Sequence, residues 1–196
     1  EPVVPAADLG GLGEVNVVLA VGDVFGLCPV VSRKVLDARY AARGNGLVYL
    51  GPQGGLTGRM ATTRVLDSER KAAAAVLKEL TAGGGAPAEV REVGDLLAKV
   101  EPGVPGAAGA ASVLVGAGKV AVLTGTADPV AVRMGRLIAA ALGGKASFAC
   151  LTESACAGDI LGAWRPGADM RGLAEAVRGG KLKGLISLGV DLVGEG

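Results

Sequence analysis

Short apolar stretches without polar alternation, bounded by glycine, punctuate the chain. The clearest is Val15-Asn16-Val17-Val18-Leu19-Ala20-Val21; others cover residues 47–50, 119–123, 146–150 and 184–188, with a weaker one at 64–66. Runs of this kind suit parallel strands buried on both faces, because such a sheet offers neither face to water. Between them the apolar positions recur at helical spacing. Residues 30–42 put Val31, Val35, Ala38 and Ala42 on one side, with Arg33, Lys34, Asp37 and Arg43 largely outside it. Residues 68–80 follow Asp67 or Ser68 as N-cap, carry Glu69 in the first turn and have an alanine-rich interior. Pro129 suits the first turn of a helix through Ala141, and Asp169 can cap another over 170–178. The alternation of strand and helix predicts an α/β fold with right-handed crossovers: three-layer αβα, Rossmann-like, with a mostly parallel sheet.

The pattern nearly repeats. Residues 15–52 read strand, Gly22-Asp23 loop, Pro29, a helix with Arg33, glycine, strand and loop; residues 119–152 read strand, Gly125-Thr126 loop, Pro129, a helix with Arg133, glycines, strand and loop. Between the two lies Glu101-Pro102-Gly103-Val104-Pro105-Gly106, the densest proline and glycine punctuation in the chain. Two Rossmann-like lobes, 1–102 and 103–196, are therefore expected. The alternative is one continuous six-stranded sheet.

Composition narrows the chemistry. The chain has 196 residues, no histidine, and only 3% aromatic residues, so alanine, valine, leucine and glycine supply its apolar character. Without imidazole there is no Ser-His-Asp or Cys-His catalysis and no histidine-ligated zinc. Twenty basic against nineteen acidic residues leave a net charge of +1, which gives no bulk attraction to nucleic acid. Cys28, Cys150 and Cys156 match no zinc or iron–sulfur spacing and read as thiols of a reduced compartment. No apolar run approaches the ~20 residues that span a bilayer, so a cytoplasmic location without membrane insertion is expected. The chain opens at Glu1 and ends on a strand-like run that would ordinarily lead into a covering helix, so a piece of a larger protein is expected.

Ligands of open parallel sheets sit at the carboxyl ends of the strands. Here those loops are 22–26, 51–55, 124–128, 151–159 and 189–191. Their Gly, Ser and Thr content lets backbone N–H groups approach a phosphate. Yet Gly22-Asp23-Val24-Phe25-Gly26 lacks the dinucleotide spacing, Gly116-Ala117-Gly118-Lys119 precedes its strand, and no Walker signature occurs. Asp23, Asp128 and Asp191 each follow a strand, where a carboxylate either receives ribose or guanine hydrogen bonds or caps a helix. Arg33 and Arg133 are expected in solvent or bracing a neighbouring lobe, and Trp164 as a plug over the sheet or a platform for substrate.

Beyond these residue-level readings, the run from Val15 to Asp23 and then Cys28-Pro29-Val30-Val31-Ser32-Arg33 resembles a segment of the molybdopterin oxidoreductase superfamily, D-V-V-L-x-x-G-x-N-P followed by H-P-V-x-x-x-R. Leu47-Val48-Tyr49-Leu50-Gly51-Pro52 resembles its next strand and D-P turn, and Ala61-Thr62-Thr63-Arg64-Val65 the segment after it. Lys119-Val120-Ala121-Val122-Leu123-Thr124-Gly125, Ser154-Ala155-Cys156-Ala157-Gly158-Asp159 and Lys181 to Leu192 are similar to later family segments, in the family's order.

The resemblance implies that Gly22, Asp23, Gly51, Gln53, Thr124, Gly125, Gly189 and Asp191 face a pterin–guanine dinucleotide, and it implies no catalytic or metal-ligating residue within this chain. Asp23-Val24 replaces the family's Asn-Pro, Gly51 its acidic turn residue, and Leu192 its final proline. Those departures favour a cofactor-free scaffold similar to the large iron–sulfur subunit of NADH–quinone oxidoreductase, with molybdopterin guanine dinucleotide vestigial. Its partners would be the remaining domains of the parent chain and other subunits of an oxidoreductase complex, on the cytoplasmic side of a membrane. The alternatives are a dinucleotide-binding lobe of an active molybdenum or tungsten enzyme, such as formylmethanofuran or formate dehydrogenase, and a nucleotide-binding transferase lobe.

Overall fold

A computed structural model describes residues 4–82, 86–100, 103–151 and 179. Within them the unalternating apolar runs become five parallel strands: β1 (Val17–Gly22), β2 (Gly46–Gly51), β3 (Thr63–Leu66), β4 (Val120–Gly125) and β5 (Ala146–Cys150). Their order in the sheet is β3-β2-β1-β4-β5, and every pairing is parallel. All residues of β1 and β2 are buried, as their composition requires. Pro5 and Ala7 bond the outer edge of β5 at Phe148, so the chain's own N-terminal segment covers that edge there.

Helices cover both faces. Val18, Ala20, Leu47, Ala121 and Leu123 pack with Leu12 against α1 (Val24–Leu27) and α2 (Pro29–Ala41). Val17, Leu19, Val21, Val48, Leu50, Val120 and Val122 pack against α4 (Glu69–Ala82), α5 (Ala88–Val100), α6 (Ala107–Gly116) and α7 (Pro129–Leu142). A short α3 (Leu56–Met60) joins β2 to β3. The result is the expected three-layer, Rossmann-like α/β fold. Among the described residues no helix is long and apolar enough to cross a membrane.

The boundary expected near residue 102 falls inside this sheet. β1 pairs with β4 along its whole length, from Val17 opposite Val120 to Gly22 opposite Gly125. A strand that is apolar on both faces needs a bonded neighbour on each edge, and β1 finds its second neighbour beyond residue 102. The proline and glycine cluster is a turn into α6, where the Ala107 N–H reaches the Val104 carbonyl. The near-repeat survives as topology: β1–α2–β2 and β4–α7–β5 are two βαβ units back to back. The expected helix at 170–178 and strand at 184–188 lie outside the described residues, as do Cys156 and Trp164.

Lys145, just before β5, ties α6 to the sheet. Its ammonium donates to the carbonyls of Leu114 at 3.1 Å, Val115 at 2.6 Å and Ala117 at 3.1 Å, which satisfies the frayed end of that helix. Lys145→Met keeps the stem and removes all three bonds. It should cost about 1–2 kcal/mol, read as a lower urea midpoint with an unchanged slope. An unchanged midpoint would mean the three bonds contribute nothing to stability.

Candidate functional site

The strand order reverses between β1 and β4, so the ends of these strands form the switch point where open α/β sheets place ligands. Gly22 and Gly125 lie side by side there. Gly22 has φ +79, and a Cβ on it would stand 2.5 Å from the Gly125 carbonyl oxygen and 3.0 Å from Glu69 Oε1. A Cβ on Gly125 would stand 2.8 Å from the backbone N and Cα of Val24. The two glycines therefore serve close packing of backbone on backbone, and the space beside Gly22 is occupied by the chain's own carboxylate.

Asp23 continues the lock. Its carboxylate accepts from the Thr57 N–H at 2.9 Å, the Thr57 hydroxyl at 2.8 Å and the Leu56 N–H at 3.3 Å. The buried Thr57 Oγ1 in turn accepts from the Phe25 N–H at 2.8 Å. Asp23 thus caps α3, thirty-odd residues away. Burial pushes its pKa up, but the donors from Thr57, Leu56 and Gly26 outweigh burial and hold it below the ordinary 3.8.

Tyr49 fills the end of β2. It is buried, and its hydroxyl donates to the Pro52 carbonyl at 2.9 Å. A Cβ on Gly51 would stand 2.7 Å from Tyr49 Oη, so glycine there makes room for the ring. Burial, with the charges of Asp23 and Glu69, raises the phenol pKa above 10.0. Gln53 lies exposed in the loop just beyond.

On the other face Glu69 accepts from the Thr126 hydroxyl, whose oxygen accepts from the Asp128 N–H at 3.1 Å. Arg70 pairs with Asp128, which also caps α7 by accepting from the Val130 N–H at 2.9 Å. The hydrogen bond between them holds Asp128 below and Arg70 above their ordinary values. Thr124 is fully buried, packs its methyl where Gly135 leaves space, and leaves its hydroxyl without a hydrogen-bond partner among the described residues.

The structure therefore brings Gly22, Asp23, Gly51, Thr124 and Gly125 to one end of the sheet. Gly189 and Asp191 lie outside the described residues. Thr57, Tyr49, Glu69 and Arg70 complete the cluster; the sequence marks Tyr49 only as part of a strand and Glu69 only as a first-turn residue, and does not mark Thr57 or Arg70. These residues do not fit a pyrophosphate. Three carboxylates, Asp23, Glu69 and Asp128, stand at the mouth, and Arg70 is already committed to Asp128. The glycine that would let a phosphate approach is covered by Glu69 and Gly125. Among the described residues no group of three or more Cys, Asp or Glu could hold a metal ion. No protein-family model matches the chain, and a search of curated proteins finds no match.

Proposed function

We propose that this chain supplies a Rossmann-like scaffold domain to a larger oxidoreductase of the molybdopterin type, with no dinucleotide in its switch-point crevice. One observation carries the second half of that reading: the crevice is filled from within, by Glu69 against Gly22, by Asp23 bonded to Thr57 and Leu56, and by Tyr49 at the end of β2. The first half is supported by the ordered likeness of several segments to that superfamily. The likeness to the large subunit of NADH–quinone oxidoreductase is favoured, because the departures at Asp23, Gly51 and Leu192 suit a domain that keeps the fold without its cofactor.

In this role the residues hold shape and do no redox chemistry. Asp23 and Thr57 lock the first loop to α3, while Arg70 and Asp128 tie the start of α4 to the start of α7. Electron transfer would belong to cofactors elsewhere in the parent complex, since ordinary side chains do not carry it. The test is to isolate the tagged full-length protein from its own cells and compare it with this chain alone. The reading predicts co-elution with iron–sulfur subunits and NADH-dependent dye reduction by the complex, and no dye reduction with NADH or formate by the chain. Turnover by the chain alone, or a full-length protein that runs free of any redox partner, would contradict it.

A further inference from the structure

The opposite end of the sheet carries a second feature. Arg39, Tyr40, Ala42, Arg43, Asn45 and Thr62 enclose a pocket of about 270 Å³ at the start of β2 and β3. The Arg39 guanidinium is fixed twice over: it donates to the Met60 carbonyl and lies 4.9 Å from the centre of the Tyr40 ring. Tyr40 is itself 66% exposed, an uncommon position for one of so few aromatic residues. Arg43 is exposed and makes no hydrogen bond or ion pair with any other described residue. No acidic residue lines the pocket.

Ala42 and Asn45 also line a larger neighbouring groove of about 570 Å³, whose apolar wall includes Val17, Val113 and Ala117. We propose that this pocket and groove dock a polypeptide segment of a partner protein, an acidic side chain entering between Arg39 and Arg43 and apolar side chains lying along Val113 and Ala117. A guanidinium held over an aromatic ring and bonded to a carbonyl through Nη1 offers its remaining N–H groups to a carboxylate with little ordering cost. Nucleic acid suits the surface less well. It needs a stripe of cations, whereas the chain has a net charge of +1, and Lys119, beside the groove-lining Gly118, is already paired with Glu14. The inference is independent of the reading of the crevice, which lies at the other end of the strands.

A short fluorescein-labelled peptide of alternating glutamate and leucine is the probe, titrated into the full chain and followed by anisotropy. Saturable binding is expected, weakened about tenfold by Arg43→Glu and similarly by Val113→Asp, each with an unchanged thermal midpoint. Arg33→Glu, on α2 but outside both cavities, should leave the affinity unchanged. Two variants on different elements keep the test valid if one fails to fold. Equal losses in the Arg33 and Arg43 variants, tighter binding of an oligothymidine or of a control peptide of alternating lysine and leucine, or no saturable binding of the acidic peptide would overturn the proposal.

Discussion

Gly22→Ala should lower the stability of the chain by about 3 kcal/mol. A left-handed conformation at a residue bearing Cβ costs about 1 kcal/mol by itself. The rest comes from contact: the new methyl would stand 2.5 Å from the Gly125 carbonyl oxygen and 3.0 Å from Glu69 Oε1. Neither neighbour gives way easily, because Gly125 sits in the β1–β4 ladder and Glu69 holds the Thr126 hydroxyl. Overpacking of this kind costs about 1–3 kcal/mol. For a chain of this size the sum corresponds to a fall of roughly 10 °C in the thermal midpoint. Gly13→Ala is the matched control, since nothing lies within 4 Å of its Cβ position. Equal midpoints for the two variants would mean that the end of β1 is not packed as described.

The second large effect concerns Asp23. Asp23→Ala strips the acceptor from the Leu56 N–H, the Thr57 N–H and the Thr57 hydroxyl at once, and should cost about 3 kcal/mol. The pH dependence follows from the direction of the shift. The folded pKa lies below the ordinary 3.8, so the native state favours the ionised carboxylate. Its contribution is therefore complete above the unfolded value and is lost as pH falls through the lower folded one. Unfolding by urea, followed from neutral pH down to the acid limit, should show a shallower decline below about pH 4 in Asp23→Asn than in the parent. Some decline remains in the variant, because Asp128 is lowered as well and titrates in the same window. Parallel curves would mean that the Asp23 carboxylate gains nothing from its donors.

Much of the fold was legible because burial on both faces leaves a coarse mark on sequence. β1, β2, β4 and β5 appear as apolar runs, and α2, α4 and α7 announce themselves by periodicity and by Pro29, Glu69 and Pro129. What the runs do not carry is which strand lies beside which. The same near-repeat serves two lobes or two halves of one sheet, and only the pairing of β1 with β4 decides between them. α6 left no trace, because Ala107–Gly116 is nearly all small or apolar and offers no polar face to set a period. The short α3 hides in a glycine-rich loop.

The site was half legible for a related reason. Gly22, Asp23, Gly51, Thr124 and Gly125 follow or end strands, and that position alone marks them. What they do there depends on partners distant in sequence: Asp23 on Thr57, Gly22 on Glu69, Gly51 on the ring two residues before it. Asp23 illustrates the difficulty. A cap on a neighbouring helix was readable from its place after β1, but its bonds to Leu56 and Thr57 at the start of α3 were not.

The claim that the crevice is closed by its own residues is tested most directly by adding what would enter it. The chain, labelled with nitrogen-15, is titrated with guanosine diphosphate and separately with NADH, while the amide signals of Gly22 and Gly125 and the thermal midpoint are followed. Neither amide should shift in a saturable way, and the midpoint should stay where it is. A ligand that occupied the crevice at a hundred times its Kd would stabilise the fold by about 2.7 kcal/mol, well within detection. Saturable shifts at both glycines together with such a rise would contradict the account.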